Sequence, residues 1–219
     1  PQEGVVYITG ATGSGKSTML AAIIKSLAEQ VDGNRKILTF ESPIEFVYDM
    51  IQMPSSIIAQ AEIPRHLPTF AAGVRNALRR KPGLILVGEA RDKETIAAVI
   101  DAALTGHPVY TTLHSNGVAD AVRRMIASFP PEERNGRALD ILETIRLVVW
   151  QKLVPSVDGK RADQVIEGRE RPAVVSVRDQ RKVLQMAVGV PRQCIEDLPA
   201  GEGLQIHGGR LAVLLDHRR

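Results

Sequence analysis

The fold of this chain is constrained most by residues 5–20, where a β-branched and aromatic run, residues 5–9, leads into a glycine-rich loop and then a helical pattern. Four residues of the loop match the spacing G-x-x-x-x-G-K-[ST]: Gly10, Gly15, Lys16 and Ser17. The glycines leave room for successive backbone N–H groups to turn toward an anion, and the following helix directs its positive dipole end at the same point. The pattern predicts a strand, a phosphate-binding loop and a helix.

The lysine and the serine of this loop predict its ligand. Lys16 is placed to bridge the β and γ phosphates of a nucleotide, and Ser17 to hold Mg²⁺ through its hydroxyl. A simple glycine turn between a strand and a helix is the competing interpretation. The strand before the loop and the helix after it favour the nucleotide site, because they are the context that the motif requires.

Composition restricts the classes of function that remain. The 219 residues are enough for one domain with an appendage. The net charge is +3, and the basic residues are scattered among acids, so a basic groove for nucleic acid is not indicated. The single cysteine, Cys194, can form neither an internal disulfide nor a cysteine zinc cage, which favours a reducing compartment. We also find no apolar run long enough to span a bilayer.

Alternating apolar runs and helical patterns predict an α/β fold with a mostly parallel central sheet flanked by helices. The expected strands are residues 5–9, 36–40, 84–87 and 109–113, and residues 151–155 complete the core. The expected helices are residues 16–30, 69–81, 92–104, 117–128 and 139–150. Prolines make residues 47–68 irregular. Beyond residue 160 only isolated strands are expected, for example in the apolar run 173–177.

Carboxylates follow two of the expected strands at their C-terminal ends, the edge where open α/β sheets bind ligands. Glu41 and Glu45 either hold Mg²⁺ through water and orient the attacking water, or are solvated glutamates in a proline-stiffened turn. Glu89 is the best candidate for a general base, the alternative being a cap for the helix that begins near Lys93.

Histidines bracket the strand at residues 109–113. His107 and His114 are either structural residues or part of a polar cluster that senses the γ-phosphate. Arg65 and His66 are expected on the surface, the alternative being a contact with a neighbouring phosphate.

Taken together, these motifs resemble those of the secretion ATPase superfamily, whose members drive type II secretion, type IV pili and type IV secretion or conjugation. The matching segments are residues 10–18 as Walker A, 41–45 as the acidic box, 84–92 as a Walker B with glycine before glutamate, and 105–116 as the histidine box. Residues 41–48, 62–68, 74–82 and 105–117 look closest to the type IVB, Dot/Icm-like branch. Ser42 stands where most pilus and type II members carry Asp.

The resemblance implies a RecA-like P-loop NTPase domain over residues 1–160, with a divergent tail of uncertain structure over residues 161–219. It implies a homo-hexamer at the cytoplasmic face of the bacterial inner membrane, which hydrolyses ATP with Mg²⁺ and meets the membrane peripherally through inner-membrane secretion components. No direct nucleic-acid binding is expected. Family members also carry an N-terminal domain that supplies arginine fingers, so this chain is expected to hydrolyse ATP poorly without it.

Family roles carried onto matching positions complete the expected site. The nucleotide-binding residues are Gly10, Thr12, Gly13, Ser14, Gly15, Lys16, Ser17 and Thr18. The catalytic group comprises Glu89 as base with Glu41, Glu45 and His114, and Mg²⁺ is held by Ser17 and, through water, by Glu41. The alternatives are a pilus or type II secretion ATPase, a non-catalytic ring subunit, or a RecA-like nucleic-acid motor, which the aromatic content of 4% disfavours.

Overall fold

One nine-stranded sheet runs through the residues that the computed structural model describes, which are 3–155, 162–170, 205–207 and 210–213. The strands are β1 (Gly4–Gly10), β2 (Lys36–Glu41), β3 (Ile57–Glu62), β4 (Leu84–Val87), β5 (Pro108–Leu113), β6 (Ile145–Pro155), β7 (Ala162–Glu170), β8 (Gln205–His207) and β9 (Arg210–Val213). The helices are α1 (Lys16–Ala28), α2 (Phe70–Leu78), α3 (Lys93–Leu104), α4 (Val118–Ala127) and α5 (Arg134–Thr144).

The strand order is β3-β2-β4-β5-β1-β6-β7-β9-β8. The first six strands in this spatial order, β3, β2, β4, β5, β1 and β6, are parallel. The last three, β7, β9 and β8, continue the sheet in antiparallel pairs. The predicted α/β class with a mostly parallel sheet is therefore confirmed.

Helices cover both faces of the parallel part of the sheet. Val6 and Ile8 of β1 pack with α1 on one face, whereas Val5 and Tyr7 pack with α2, α3, α4 and α5 on the other. All seven residues of β1 are buried, because the strand lies between β5 and β6 and under helices on both sides. The loop that follows β1 is thus anchored to a strand that is buried along its whole length.

Two expectations about secondary structure are wrong. The helix expected at residues 139–150 ends at Thr144, and the β-branched run that follows forms β6. That run pairs with β1 in parallel, from Val5 opposite Ile145 to Gly10 opposite Gln151. Residues 47–68, expected to be irregular, contain β3, which pairs with β2. Its flanking prolines lie outside the strand, where they break no ladder hydrogen bond.

The border expected at residue 160 stays a prediction, although β7 extends the same sheet beyond it. The strand suggested at residues 173–177 lies outside the described residues. Within the described parts of the chain, no helix is long and apolar enough to cross a membrane.

Candidate functional site

A cavity of about 730 Å³ opens at the C-terminal ends of β1, β2, β4 and β5. It brings together the loop after β1, the acidic segment after β2, the turn after β4 and the first residue after β5. The expected site residues that line it are Thr12, Gly13, Gly15, Lys16, Ser17, Thr18, Glu41, Glu45, Glu89 and His114. Gly10 and Ser14 belong to the same loop but are buried and do not line the cavity.

The loop is held tightly where it leaves β1. Gly10 has a φ of 150°, and a Cβ added there would lie 2.3 Å from Gln151 O and 2.7 Å from Ser14 Oγ. The Ser14 N–H donates to Ala11 O at 3.2 Å, which closes the turn. Gly13 has a φ of 77° and nothing within 4 Å of an added Cβ. The loop therefore has one packed glycine at its base and one open glycine at its tip.

The start of α1 is suited to an anion. Its N-cap is Gly15, which provides no side-chain acceptor, and the first turn contains no acidic residue. The N–H groups of that turn therefore have no side-chain cap and carry the positive end of the helix dipole at the cavity.

Lys16 adds a full positive charge at the same place. Its Nζ donates to Gly10 O at 3.0 Å and to Ala11 O at 2.8 Å. Burial lowers the pKa of Lys16, and the charges of Glu89 and Glu45 act in the opposite direction. The ammonium is thus partly desolvated and within the field of two carboxylates. Phosphate oxygens would be stronger acceptors than the two loop carbonyls that it contacts.

Oxygen donors that fit Mg²⁺ face the cavity beside Lys16. The Ser17 hydroxyl donates to Glu45 Oε1 at 3.3 Å, and Glu41 Oε1 accepts from the Thr39 hydroxyl at 2.6 Å. No group of three or more His, Cys, Asp or Glu side chains in the described residues could hold a metal by itself. This donor set suits Mg²⁺, which keeps several waters and is usually held by one or two carboxylates together with substrate phosphates.

The turn that carries Glu89 is fixed on both sides. The Gly88 N–H donates to Phe40 O at 2.7 Å, and Gly88 O accepts from the Thr112 hydroxyl at 2.6 Å. The Ala90 N–H donates to Thr112 O at 3.0 Å. A Cβ at Gly88 would lie 3.3 Å from Phe40 O, which gives a steric reason for glycine at this position.

Glu89 faces the cavity and does not cap the next helix. Its Oε1 lies 3.5 Å from His114 Nε2. The N-cap of α3 is Asp92, which accepts from the Thr95 N–H at 2.9 Å and from the Thr95 hydroxyl at 2.8 Å. Burial alone would raise the pKa of Asp92, but these hydrogen bonds outweigh burial and hold the pKa below its ordinary value.

Other side chains considered from the sequence lie away from the cavity. His107 precedes β5 at the opposite edge of the sheet, and its Nδ1 lies 3.3 Å from Ala102 O. Arg65 and His66 are exposed, as expected, and His66 Nδ1 accepts from the Glu62 N–H at 3.0 Å.

Two side chains that support the site were not singled out from the sequence. Thr112 holds the turn around Glu89, and Gln60 donates to Glu41 Oε1 at 3.1 Å. Gln60 belongs to β3, and the Ile57–Ile58 pair after a turn was the available signal for that strand.

Comparison with known proteins gives the same picture as the geometry. A protein-family model described as "Type II/IV secretion system protein" matches residues 1–201. Among solved structures, the chain is similar to the ATPase DotB of Legionella pneumophila, with 59% identity and a TM-score of 0.76 over 89% of this chain and 50% of that one. It is also similar to the pilus retraction motor PilT with bound ADP, with 30% identity and a TM-score of 0.73 over 89% of this chain and 51% of that one.

Among curated sequences, it is 39% identical over 188 residues to the type IV pilus retraction ATPase PilT of Pseudomonas aeruginosa, covering 84% of this chain and 52% of that protein. The chain thus spans about half the length of these relatives. The family match covers most of the sequence and includes every segment that lines the cavity. The chain therefore belongs to the family of type II/IV secretion system proteins.

Proposed function

We propose that this chain binds ATP with Mg²⁺ and hydrolyses it as the motor domain of a secretion apparatus. The observation that carries the proposal is the convergence of Lys16 and Glu89 on one cavity, from the loop after β1 and the turn after β4. They are close enough for the charge of Glu89 to act on the pKa of Lys16. A phosphate bound by the lysine would thus lie near a carboxylate that can accept a proton.

The loop supplies the phosphate contacts in this proposal. Lys16 and the N–H groups at the start of α1 bind the phosphates, and the remaining loop residues set the backbone that makes this possible. Those residues are Gly10, Thr12, Gly13, Ser14, Gly15, Ser17 and Thr18. Bound Mg²⁺ supplies charge neutralisation on the phosphate oxygens, with Ser17 as a ligand and Glu41 acting through water.

Glu89 acts as the general base. It accepts a proton from the attacking water while the water oxygen bonds to the γ-phosphorus and the bond to the ADP oxygen breaks. His114, 3.5 Å from Glu89, orients this carboxylate and meets the γ-phosphate side of the cavity. Glu45, in contact with the Ser17 hydroxyl, supports the metal and the water.

The finer assignment is to a type IVB, DotB-like secretion or conjugation motor. Its support is the identity of 59% to DotB of Legionella pneumophila, against 30% to the PilT structure. In this assignment the protein works as a homo-hexamer at the cytoplasmic face of the inner membrane. It meets the membrane through secretion-system partners and binds no nucleic acid directly.

ATP turnover by this chain and by Glu89→Gln, over a range of protein concentrations, tests the proposal. Loss of the base should lower turnover by about 10²- to 10⁴-fold while ATP still binds. Glu132→Gln, the same change at an exposed glutamate outside the cavity, is the matched control. A steep rise of turnover with protein concentration would support assembly. Failure of the chain to bind ATP, or full turnover in Glu89→Gln, would contradict the proposal.

A further inference from the structure

The side chain of Gln60, on the edge strand β3, contacts three separate points of the acidic segment. Its Nε2 donates to Glu41 Oε1 at 3.1 Å and to Phe46 O at 2.8 Å. Its Oε1 accepts from the Tyr48 N–H at 3.3 Å. One amide therefore ties the carboxylate that ends β2 to the backbone on both sides of Val47.

These partners fix the orientation of the amide. A carboxylate and a carbonyl only accept hydrogen bonds, and they face the NH₂ group of Gln60. A backbone N–H only donates, and it faces the amide oxygen. A flipped amide would place oxygen against oxygen at two points. The position thus uses two donors and one acceptor, a combination that glutamate and methionine lack.

A second side chain of the same strand continues this support. Glu62 lies two residues after Gln60, on the same side of β3, and its Oε2 accepts from the Ile44 N–H at 3.3 Å. The backbones of residues 44, 46 and 48 are thus each held by a side chain of β3. Glu45 lies inside this supported stretch and contacts the Ser17 hydroxyl at 3.3 Å.

We infer that Gln60 is a positioning residue, which aims the carboxylates of Glu41 and Glu45 at the metal side of the nucleotide cavity. Gln60 does not line the cavity itself, so it acts through the residues that it holds. This inference rests on the proposed function. It requires that loss of Gln60 weaken the part of ATP binding that depends on Mg²⁺, while the phosphate loop, which Gln60 does not touch, keeps its own affinity.

The test compares two variants with ATP affinities measured by calorimetry, in Mg²⁺ and in EDTA. Gln60→Met keeps the length of the side chain but removes its hydrogen bonds, and Gln60→Glu keeps the shape but sets a carboxylate against Glu41. We expect the gain in affinity from Mg²⁺ to fall about tenfold in Gln60→Met and further in Gln60→Glu. Affinity in EDTA should stay within about twofold of the original chain, since Gln60 does not line the cavity and the phosphate loop keeps its own contacts. Gln52→Glu, at an exposed position of the neighbouring loop, is the control for added charge.

The variant that loses more of the Mg²⁺-dependent gain in ATP affinity distinguishes a positioning role of Gln60 from a purely structural one. If Gln60 served only to fill space in β3, the isosteric Gln60→Glu would resemble the original chain more than Gln60→Met does. Hydrogen exchange without nucleotide provides a second readout, because the Tyr48 amide should exchange at least about tenfold faster in Gln60→Met. The Gln52→Glu chain should show neither change.

Each outcome decides between the two claims. An unchanged Mg²⁺ gain in both variants, or an equal loss of affinity in Mg²⁺ and in EDTA, would overturn the positioning role while leaving the proposed function in place. If the original chain binds no ATP in either condition, the proposed function itself fails and the inference falls with it.

Discussion

Replacing Gly10 by alanine should destabilise the fold severely, because the glycine lies at the point where β1 meets both the loop and β6. The new Cβ would lie 2.3 Å from Gln151 O and 2.7 Å from Ser14 Oγ. The first contact is with backbone in the middle of a paired strand, which cannot rotate away. Overpacking of this kind costs typically about 1–3 kcal/mol. The φ of 150° adds backbone strain of roughly 1–3 kcal/mol for a residue with a side chain.

The expected loss for Gly10→Ala is therefore about 2–6 kcal/mol of the free energy of unfolding. Domains of this kind have roughly 5–15 kcal/mol in total, so the loss is a large share of the free energy of unfolding. Gly106→Ala is the matched control, since Gly106 has a φ of 86° but no heavy atom within 4 Å of an added Cβ. That change should cost only the strain of a left-handed residue, about 1–2 kcal/mol.

Urea titration followed by circular dichroism gives both free energies of unfolding. The prediction requires Gly10→Ala to lose clearly more than Gly106→Ala. Equal losses would refute the reasoning, because they would mean that the base of the loop is not packed against β6 as the distances indicate.

Three further predictions follow from contacts of the site. Thr112→Val, which removes the donor to Gly88 O, should lower turnover about tenfold and the free energy of unfolding by about 1 kcal/mol; steady-state kinetics and urea titration test this, and unchanged turnover would contradict it. Lys16→Ala should weaken ATP binding at least about tenfold in calorimetry without lowering thermal stability, because burial lowers the pKa of Lys16 and so already disfavours its charged form in the fold; retained affinity would count against the loop. Asp92→Asn should lower the free energy of unfolding more at pH 6 than at pH 3. The pKa of Asp92 is lowered in the folded protein, so its carboxylate contributes stability above the unfolded pKa of about 3.9, and this contribution is lost as the pH falls through the folded value. Equal losses at both pH values in urea titrations would contradict this prediction.

Most of the parallel core of the fold was predictable because its strands are runs of mainly apolar and β-branched residues. The strand expected at residues 84–87 has the bounds of β4, and the expected strands at residues 5–9, 36–40 and 109–113 lie within one residue of the ends of β1, β2 and β5. Each is almost wholly buried, and the polar residues inside the runs are mainly threonines, whose β-branched side chains favour a strand. The ligand edge of the sheet followed from the expected parallel strands, because their C-terminal ends meet at one edge.

The two parallel strands that were missed, β3 and β6, are defined by partners elsewhere in the chain. Leu139, Leu142 and Ile145 recur at helical spacing, but Ile145 pairs with Val5, which lies 140 positions earlier in the chain. Leu139 and Leu142 remain exposed on α5, so the apolar spacing did not mark a buried helix face. β3 is a half-buried edge strand, so its apolar pattern is weaker than that of the buried strands. Its pairing with β2 is what defines it as a strand.

Contacts between side chains were the least predictable part of the site. Glu89 and His114 could be placed at one edge of the sheet because each follows the C-terminal end of an expected parallel strand. The hydrogen bond from Gln60 to Glu41 requires β3, which the sequence analysis did not predict. His107 shows that residues of one sequence motif need not be close in space. It was grouped with His114 by motif, yet the two lie at opposite ends of β5, because a six-residue strand separates them.

Buried threonines near the ends of neighbouring strands explain how a site on loops can be held in place. Thr9, Thr39 and Thr112 are at most 5% exposed, so each hydroxyl must find a partner inside the protein. Thr39 donates to Glu41 Oε1, and Thr112 donates to Gly88 O beside Glu89. Thr9 lies 2.6 Å from Ser115 Oγ; since Ser115 itself donates to Gly117 O, the Thr9 hydroxyl is the donor to the residue after His114. Threonines in the strands thus fix Glu41 directly and Glu89 and His114 through their neighbours. The hydrogen bonds that satisfy these buried hydroxyls therefore also orient three candidate side chains of the site.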